Sequence, residues 1–154
     1  MGNNRDIENV YNACDEEGSF LETDVDIAKI KTMVQIAEMD LVSAEALEKT
    51  ATKEVLHWNA IYKLYYDALH ILVEAFILLD KIKVRTHECL FACICYKHSQ
   101  LELDWNFFEK VRTKRNGSLY YGTIIKPADW LDVKIQMKLY ISSMKKVLKE
   151  KLTE

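Results

Sequence analysis

The stretch LYYDALHILVEAFILLDK, residues 64–81, decides the fold class, because it is apolar or aromatic around most of a helical circumference. It belongs to a predicted helix that runs from about residue 53 to residue 82. The polar side chains of this helix fall together on one narrow strip, formed by Asn59, Lys63, Asp67, His70, Glu74 and Lys81. A helix that is apolar on nearly all sides belongs in the middle of a bundle or between subunits.

Helical spacing also dominates the rest of the chain. Apolar residues at steps of three or four predict a helix over residues 24–50. Thr86 and Asp104 suit the N-caps of a third and a fourth helix, and Pro127 suits the first position of a final helix that ends near Lys151. Strand signals are weak. The sequence therefore predicts an all-α, antiparallel up-and-down bundle of about five helices.

The 154 residues, 49% of them hydrophobic, suit a single domain with one core. Residues 1–22 are polar and acidic without a clear period, so we predict a weakly structured N-terminal arm followed by one helical domain over residues 23–154. On the final helix, Leu131, Ile135 and Leu139 form a second apolar stripe. This stripe and the apolar helix described above predict a homodimer.

Charge and cysteine content narrow the functional classes. The net charge of −3 does not favour nucleic-acid binding through bulk electrostatics, so such binding needs a local patch. No stretch has the about 18 to 20 uninterrupted apolar residues of a membrane span, and we predict no membrane association. A chain with this much core does not need a disulfide framework. We therefore predict that Cys14, Cys89, Cys93 and Cys95 are reduced thiols in a cytoplasmic protein.

Two groups of side chains have the sequence spacing of metal ligands, but neither predicts a metal site. Asp67, His70 and Glu74 share the polar strip of the apolar helix, but Lys63 lies four residues before Asp67 and would neutralise it, which favours a solvated or interhelical polar seam. The cysteines at residues 89, 93 and 95 are better interpreted as buried apolar thiols. We predict no metal and no cofactor.

The segment KVRTKRNGSLYYG, residues 110–122, carries the strongest functional signal. On the predicted fourth helix Arg115 shares a face with Phe108 and Val111, so it lies on the core-facing stripe. A guanidinium in apolar surroundings needs a carboxylate, a carbonyl array, a phosphate or a water-filled cleft. The pair Asn116-Gly117 favours a helix end or a local kink at this point.

Two segments carry a family resemblance: LYYDALHILVEAFILLDKIKVRTHECL, residues 64–90, and FFEKVRTKRNGSLYYG, residues 107–122. They resemble the HEPN family, especially its small prokaryotic members encoded beside minimal nucleotidyltransferases, and the similarity spans roughly residues 24–149. The resemblance implies a helical bundle that dimerises. It also implies a minimal nucleotidyltransferase as partner, in a toxin–antitoxin arrangement.

Many HEPN proteins are metal-independent ribonucleases that carry an Arg, an adjacent polar residue and a His four to six residues further on. Arg115 and Asn116 match the first two positions, whereas Tyr120 lies where the His is expected. A tyrosine with a pKa near 10 is a poor base at neutral pH, which argues against the usual ribonuclease activity. The resemblance thus favours a module that binds a nucleotide, an RNA phosphate or a partner protein.

The predicted ligand-binding residues are Arg112, Lys114, Arg115, Asn116 and Tyr121. One alternative is a metal-independent endoribonuclease with Arg115, Asn116 and Tyr120 as catalytic residues. A second alternative is a purely structural dimer, in which Arg115 pairs with an acid of another helix. In related paired systems a tyrosine near this motif accepts a nucleotide, so Tyr120 or Tyr121 is a candidate acceptor.

Overall fold

The structure, a computed structural model, describes residues 6–153 and confirms the all-α bundle. Six α-helices and two short strands follow in chain order: α1 (Ile7–Glu16), β1 (Phe20–Glu22), α2 (Ile27–Thr50), α3 (Trp58–Leu79), β2 (Ile82–Val84), α4 (His87–Lys97), α5 (Trp105–Tyr120) and α6 (Pro127–Leu152). Short 3-10 turns at Val55–His57 and Ser99–Leu101 precede α3 and follow α4. None of the helices within residues 6–153 has the length and hydropathy needed to span a membrane.

Helix α3 forms the centre of the bundle, as its apolar circumference predicts. It packs against α2, α4, α5 and α6, and 13 of its 22 residues are buried. The helix ends at Leu79, three residues before the predicted end, because Lys81 adopts a left-handed conformation with φ of 64°. The polar strip of α3 faces the N-terminal part of α4 and the C-terminal half of α5, where the candidate site lies.

The predicted helix starts of α4, α5 and α6 are confirmed. The Thr86 side chain accepts a hydrogen bond from the backbone N–H of Cys89 at 3.2 Å, and that of Asp104 accepts one from Asn106 at 2.9 Å. Pro127 is the first residue of α6. These caps fix where each helix begins relative to α3.

The prediction of a weakly structured arm over residues 1–22 is wrong for the residues that the structure describes, and residues 1–5 lie outside them. Residues 7–16 form α1, and β1 pairs antiparallel with β2 in the register Phe20↔Val84. Val10 and Cys14 are buried at helical spacing. This short apolar stripe lies among acidic residues, which obscured its period in the sequence.

The prediction of four reduced thiols is also wrong. Cys14 of α1 forms a disulfide with Cys89 of α4, whereas Cys93 and Cys95 are free. The two bonded cysteines are 75 residues apart in sequence, and the packing of α1 against α4 brings their Cα atoms to 5.7 Å. Sequence spacing alone does not show this pairing, because it depends on where α1 docks.

The predicted helix end or kink at Asn116-Gly117 is not found. Helix α5 continues to Tyr120, and the carbonyl of Gly117 accepts hydrogen bonds from the N–H groups of Tyr121 and Thr123, both at 3.1 Å. Gly122 instead provides the left-handed residue that ends the segment, with φ of 68°. The longer helix carries Ser118 onto the same side as Arg115, next to α3.

Candidate functional site

Arg115 of α5 faces α3, as the helical wheel predicts, and its side chain is only 19% exposed. Its guanidinium carbon lies 5.4 Å from the centroid of the Tyr66 ring, a cation–π distance. The nearest acid is Asp67, whose Oδ1 lies 3.8 Å from Nη2, beyond hydrogen-bond range. The Nε atom of Arg115 is buried and has no hydrogen-bond partner among the described residues. This arginine is therefore buried without the full set of partners that a buried cation needs.

Burial raises the pKa of Asp67, although the charges of Arg115 and Lys63 oppose the rise. The carboxylate is thus less strongly stabilised than in a close ion pair. A group that approached Arg115 with a second negative charge would compete with Asp67 for the guanidinium.

Arg112 differs from Arg115 although it lies one helical turn away. Its Nη2 donates to Glu88 of α4 at 2.9 Å, and its Nε and Nη2 donate to Glu109 of α5 at 2.9 to 3.1 Å. Two carboxylates thus neutralise this guanidinium and tie α5 to α4. In this structure Arg112 holds two helices together, whereas the sequence predicted a phosphate ligand.

The two lysines of the predicted cluster lie on the side of α5 that faces α6. Lys114 pairs with Asp129 at 3.1 Å, and Lys110 pairs with Asp132. Both pairs flank a groove of about 610 Å³ between α5 and α6. Within one chain, Lys110, Arg112 and Lys114 therefore do not join Arg115 in one positive cleft.

The remaining predicted residues lie near the C-terminal end of α5. Tyr120 and Tyr121 are 74% and 83% exposed, and Asn116 is half-buried. Tyr120 follows Arg115 by five residues, which places it about 140° further round the helix. The structure thus leaves both tyrosines accessible, with Tyr120 on another side of α5 from Arg115 and Tyr121 just beyond the end of the helix.

A small crevice beside Arg115, here called the Arg115 crevice, was not predicted. It is lined by Asn59, Lys63, Arg115, Ser118 and Ile125, with a volume of about 10 Å³. Ser118 donates a hydrogen bond to the Asn59 side-chain oxygen at 2.5 Å, which leaves the Asn59 amide group as a donor. The crevice is about large enough for one water-sized oxygen.

Two histidines from different helices meet beside Tyr66. His70 of α3 and His87 of α4 stack with ring centroids 3.7 Å apart, and the Tyr66 hydroxyl lies 2.9 Å from His87 Nδ1. Burial, together with the charges of His87 and Arg115, lowers the pKa of His70 to about 3. Burial and the nearby Arg115 and Arg112 also lower the pKa of His87. Both rings are therefore neutral at pH 7.

Sequence reasoning missed this histidine pair. It placed His70 on a polar seam, and nothing in the spacing joins His70 to His87, which lies 17 positions further along the chain on a separate helix. The available signal was the polar strip of α3, on which Asp67 and His70 interrupt an otherwise apolar helix. Within residues 6–153, no group of three or more His, Cys, Asp or Glu side chains is placed to hold a metal ion.

The chemistry of the site follows from these contacts. A partly satisfied guanidinium attracts an anion with planar or tetrahedral oxygens. Neutral imidazoles accept protons, and an anion bound to Arg115 would offset the positive charge that now lowers their pKa.

Compared with protein-family models, with curated proteins and with solved structures, the chain has no significant match.

Proposed function

We propose that this protein is a HEPN-like module that binds a phosphate group of a nucleotide or of RNA at Arg115. The observation that supports this most is the buried Nε of Arg115, which has no hydrogen-bond partner within residues 6–153, where the nearest carboxylate oxygen is 3.8 Å from Nη2. A phosphate oxygen would accept charge-assisted hydrogen bonds from this guanidinium. Such bonds are shorter and stronger than the contact with Asp67.

The Arg115 crevice supplies further donors for the same anion. Lys63, Asn59 and Ser118 line the crevice next to Arg115; of these, the Lys63 ammonium and the Asn59 amide group can donate to the anion, whereas the Ser118 hydroxyl already donates its proton to Asn59. Because the crevice holds about one oxygen, the phosphate would bind by its edge and the rest of the nucleotide would remain outside. The site therefore favours recognition of a phosphate over recognition of a base.

Helix α6 supports the proposal that the module is a homodimer. Leu131, Ile135 and Leu139 are 60% to 84% exposed and form one stripe at steps of four residues. A second copy of the chain would cover this stripe in the way that the sequence predicted. An Ile135→Asp variant is expected to be monomeric by light scattering at concentrations where the wild type is dimeric. A monomeric wild type would refute this part of the proposal.

A minimal nucleotidyltransferase, in a toxin–antitoxin arrangement, remains the proposed partner. Tyr120 and Tyr121 are exposed, as acceptors of a transferred nucleotide must be. Mass spectrometry of the protein co-expressed with its neighbouring gene product tests this, and adducts are expected on one of these two tyrosines.

The cytoplasmic location also stays a prediction. The Cys14–Cys89 disulfide removes the argument from reduced thiols on which it rested.

Calorimetric titration with ATP and with a 20-nucleotide single-stranded RNA tests phosphate binding. Loss of a charge-assisted hydrogen bond costs about 1.5 to 3 kcal/mol, so Arg115→Ala should weaken binding by about 10- to 150-fold. Arg85→Ala, which removes an exposed arginine just before α4, is the matched control and should bind like the wild type. If wild type and Arg115→Ala bind alike, Arg115 is a structural residue and the proposal fails.

The histidine pair favours endoribonuclease activity as a second candidate. In this candidate a neutral His87 would accept the proton of a ribose 2′-hydroxyl, whose oxygen would attack the phosphorus held by Arg115. The bond from phosphorus to the 5′-oxygen would then break, and that oxygen would take a proton from solvent. In this candidate a histidine of α4, rather than Tyr120, provides the base.

RNA cleavage in the presence of EDTA tests this second candidate. Because the pKa of His87 is lowered, the cleavage rate should begin to fall only at a lower pH than for an ordinary histidine base. His87→Asn should abolish cleavage, and His57→Asn, at an exposed position, should not. Intact RNA with the wild type at high protein concentration would exclude this activity without affecting the binding proposal.

A further inference from the structure

A second surface, away from Arg115, lies between the N-terminal half of α2 and the C-terminal half of α6. We call it the α2–α6 groove, and its volume is about 570 Å³. It is lined by Lys31, Val34 and Glu38 of α2, by Ser142, Lys145, Lys146, Lys149 and Leu152 of α6, and by Thr153. None of these residues belongs to the phosphate site proposed above.

The groove concentrates positive charge on a chain whose net charge is −3. Four lysines line it against one glutamate. Further along α6, Lys134 and Lys138 are neutralised by Glu48 at 3.0 and 2.8 Å, but the four groove lysines form no ion pair with any acid among the described residues. The lysines of α6 thus fall into a neutralised pair, Lys134 and Lys138, and a charged group at the groove, Lys145, Lys146 and Lys149.

The lining also has an apolar component. Val34 and Leu152 lie between the lysines, and both are partly buried against the core. The aliphatic stems of the lysines extend this apolar surface while their ammonium groups stay in water. A partner that fits must therefore present acidic and apolar side chains together.

Nucleic acid fits this lining less well than an acidic peptide. No aromatic ring and no arginine is among the lining residues, so the groove lacks the stacking surfaces and planar forks that single-stranded nucleic acids use. A phosphate backbone would also leave Val34 and Leu152 without an apolar contact. The combination of lysines and an apolar floor is typical of a groove that receives an amphipathic helix.

The length of the surface agrees with a helical ligand. A smaller pocket that reaches Glu45 shares Ser142 and Lys145 with the groove, so the two form one continuous surface; the aromatic residue of this pocket, Tyr65, is buried and offers no stacking face. From Lys31 to Glu45 the surface follows 14 residues of α2, or about 21 Å at 1.5 Å per residue. This is about four turns of a bound helix.

We propose that the α2–α6 groove binds an acidic amphipathic helix of a partner protein. Its charge and its apolar floor select a ligand with Leu-type anchors at helical spacing and Glu or Asp on the flanks. The proposal does not depend on phosphate binding at Arg115, since the two sites share no residue.

Fluorescence anisotropy with three labelled probes tests this proposal. The probes are a 14-residue Leu/Glu peptide with Leu at helical spacing, a peptide of the same composition with the Leu positions scrambled, and a 15-nucleotide single-stranded RNA. The test variant is Lys145→Glu/Lys149→Glu. The matched control is Lys53→Glu/Lys83→Glu, which makes the same charge change at two exposed lysines elsewhere.

We expect the amphipathic Leu/Glu peptide to bind at least tenfold more tightly than the scrambled peptide. Binding should weaken at least tenfold in Lys145→Glu/Lys149→Glu and stay unchanged in the control. Circular dichroism of both variants shows whether they remain folded. The proposal would be overturned if the two peptides bound equally, or if neither bound at 1 mM. It would also be overturned if the RNA bound and Lys145→Glu/Lys149→Glu weakened RNA binding more than peptide binding.

Discussion

Replacing Glu48 by Gln tests how the bundle holds a buried charge. The Glu48 side chain on α2 is 13% exposed and accepts hydrogen bonds from Tyr65 of α3 at 2.8 Å and from Trp130 of α6 at 2.9 Å. Lys138 and Lys134 of α6 bind the same carboxylate at 2.8 and 3.0 Å. One carboxylate thus joins three helices.

The stabilisation by this carboxylate follows from its pKa. Burial alone would raise the pKa of Glu48, but hydrogen bonds from Lys138, Trp130, Tyr65 and Lys134 outweigh burial and lower it from 4.5 to about 2. At about 1.4 kcal/mol per pKa unit, this corresponds to about 3 kcal/mol in favour of the charged form at neutral pH. The two lysines are 38% and 41% exposed, so solvent screening reduces the expected value to about 2 kcal/mol.

Glu48→Gln should therefore lower the free energy of unfolding by about 2 kcal/mol at pH 7, and the Tm by about 4 to 8 °C. Because the pKa of Glu48 is lower in the folded protein, its stabilisation is fully present above pH 4.5 and is lost as the pH falls towards 2. At pH 2.5 the difference between wild type and variant should fall to about a quarter of its value at pH 7.

Urea denaturation followed by circular dichroism at both pH values measures these differences. Glu45→Gln is the matched control, since Glu45 is exposed on the same helix one turn earlier. The reasoning is refuted if Glu48→Gln costs no more than Glu45→Gln. A deficit of equal size at pH 7 and pH 2.5 would also refute it, because the loss would then not come from the charge.

Four further changes test the fold and the histidine pair. Because the pKa of His70 is about 3 in the folded protein, protonation of this residue in the unfolded state should lower the free energy of unfolding of the wild type by about 2 kcal/mol between pH 7 and pH 5. In the same denaturation assay, the free energy of unfolding of His70→Phe should fall by about 2 kcal/mol less over this pH range. Reduction of the Cys14–Cys89 disulfide should cost about 4 kcal/mol for a separation of 75 residues, and thiol alkylation before and after reduction should show two newly reactive cysteines. Gly122→Ala should destabilise the protein by about 1 kcal/mol, because Gly122 has a left-handed φ. Gly117→Ala should stabilise it by about 0.5 to 1 kcal/mol, because Gly117 lies inside α5 and an added Cβ would be 3.9 Å from Thr123. Both effects can be measured as shifts in Tm.

The sequence predicted the helices whose period is long and whose caps are strong. Helix α3 is apolar on most of its circumference over 22 residues, and Thr86, Asp104 and Pro127 each have a local reason to start a helix. Helix α1 has ten residues and two buried positions, too few for its period to stand out among acidic neighbours. The end of α5 was misplaced because Gly117 and Gly122 are both plausible stops, and only the fold selects the second.

The candidate site depended on contacts that a helical wheel does not contain. The wheel placed Arg115 on a buried face correctly, because that depends only on neighbours three and four residues away. Its contacts with Tyr66 and Asp67 join residues almost 50 positions apart, and the stacking of His70 on His87 depends on how α4 docks against α3. Such pairings depend on tertiary packing and leave little trace in one sequence.

Arg112 and Arg115 show most clearly what the tertiary structure adds. The sequence presents two similar cations one helical turn apart, and both were predicted to bind phosphate. Glu88 and Glu109 satisfy Arg112 with hydrogen bonds of 2.9 to 3.1 Å, whereas Arg115 has one acid at 3.8 Å and a buried Nε without a partner among the described residues. A buried cation with incomplete contacts is costly to keep unless a ligand completes them. Of these two arginines, Arg115 is therefore the one that has a physical reason to bind an anion.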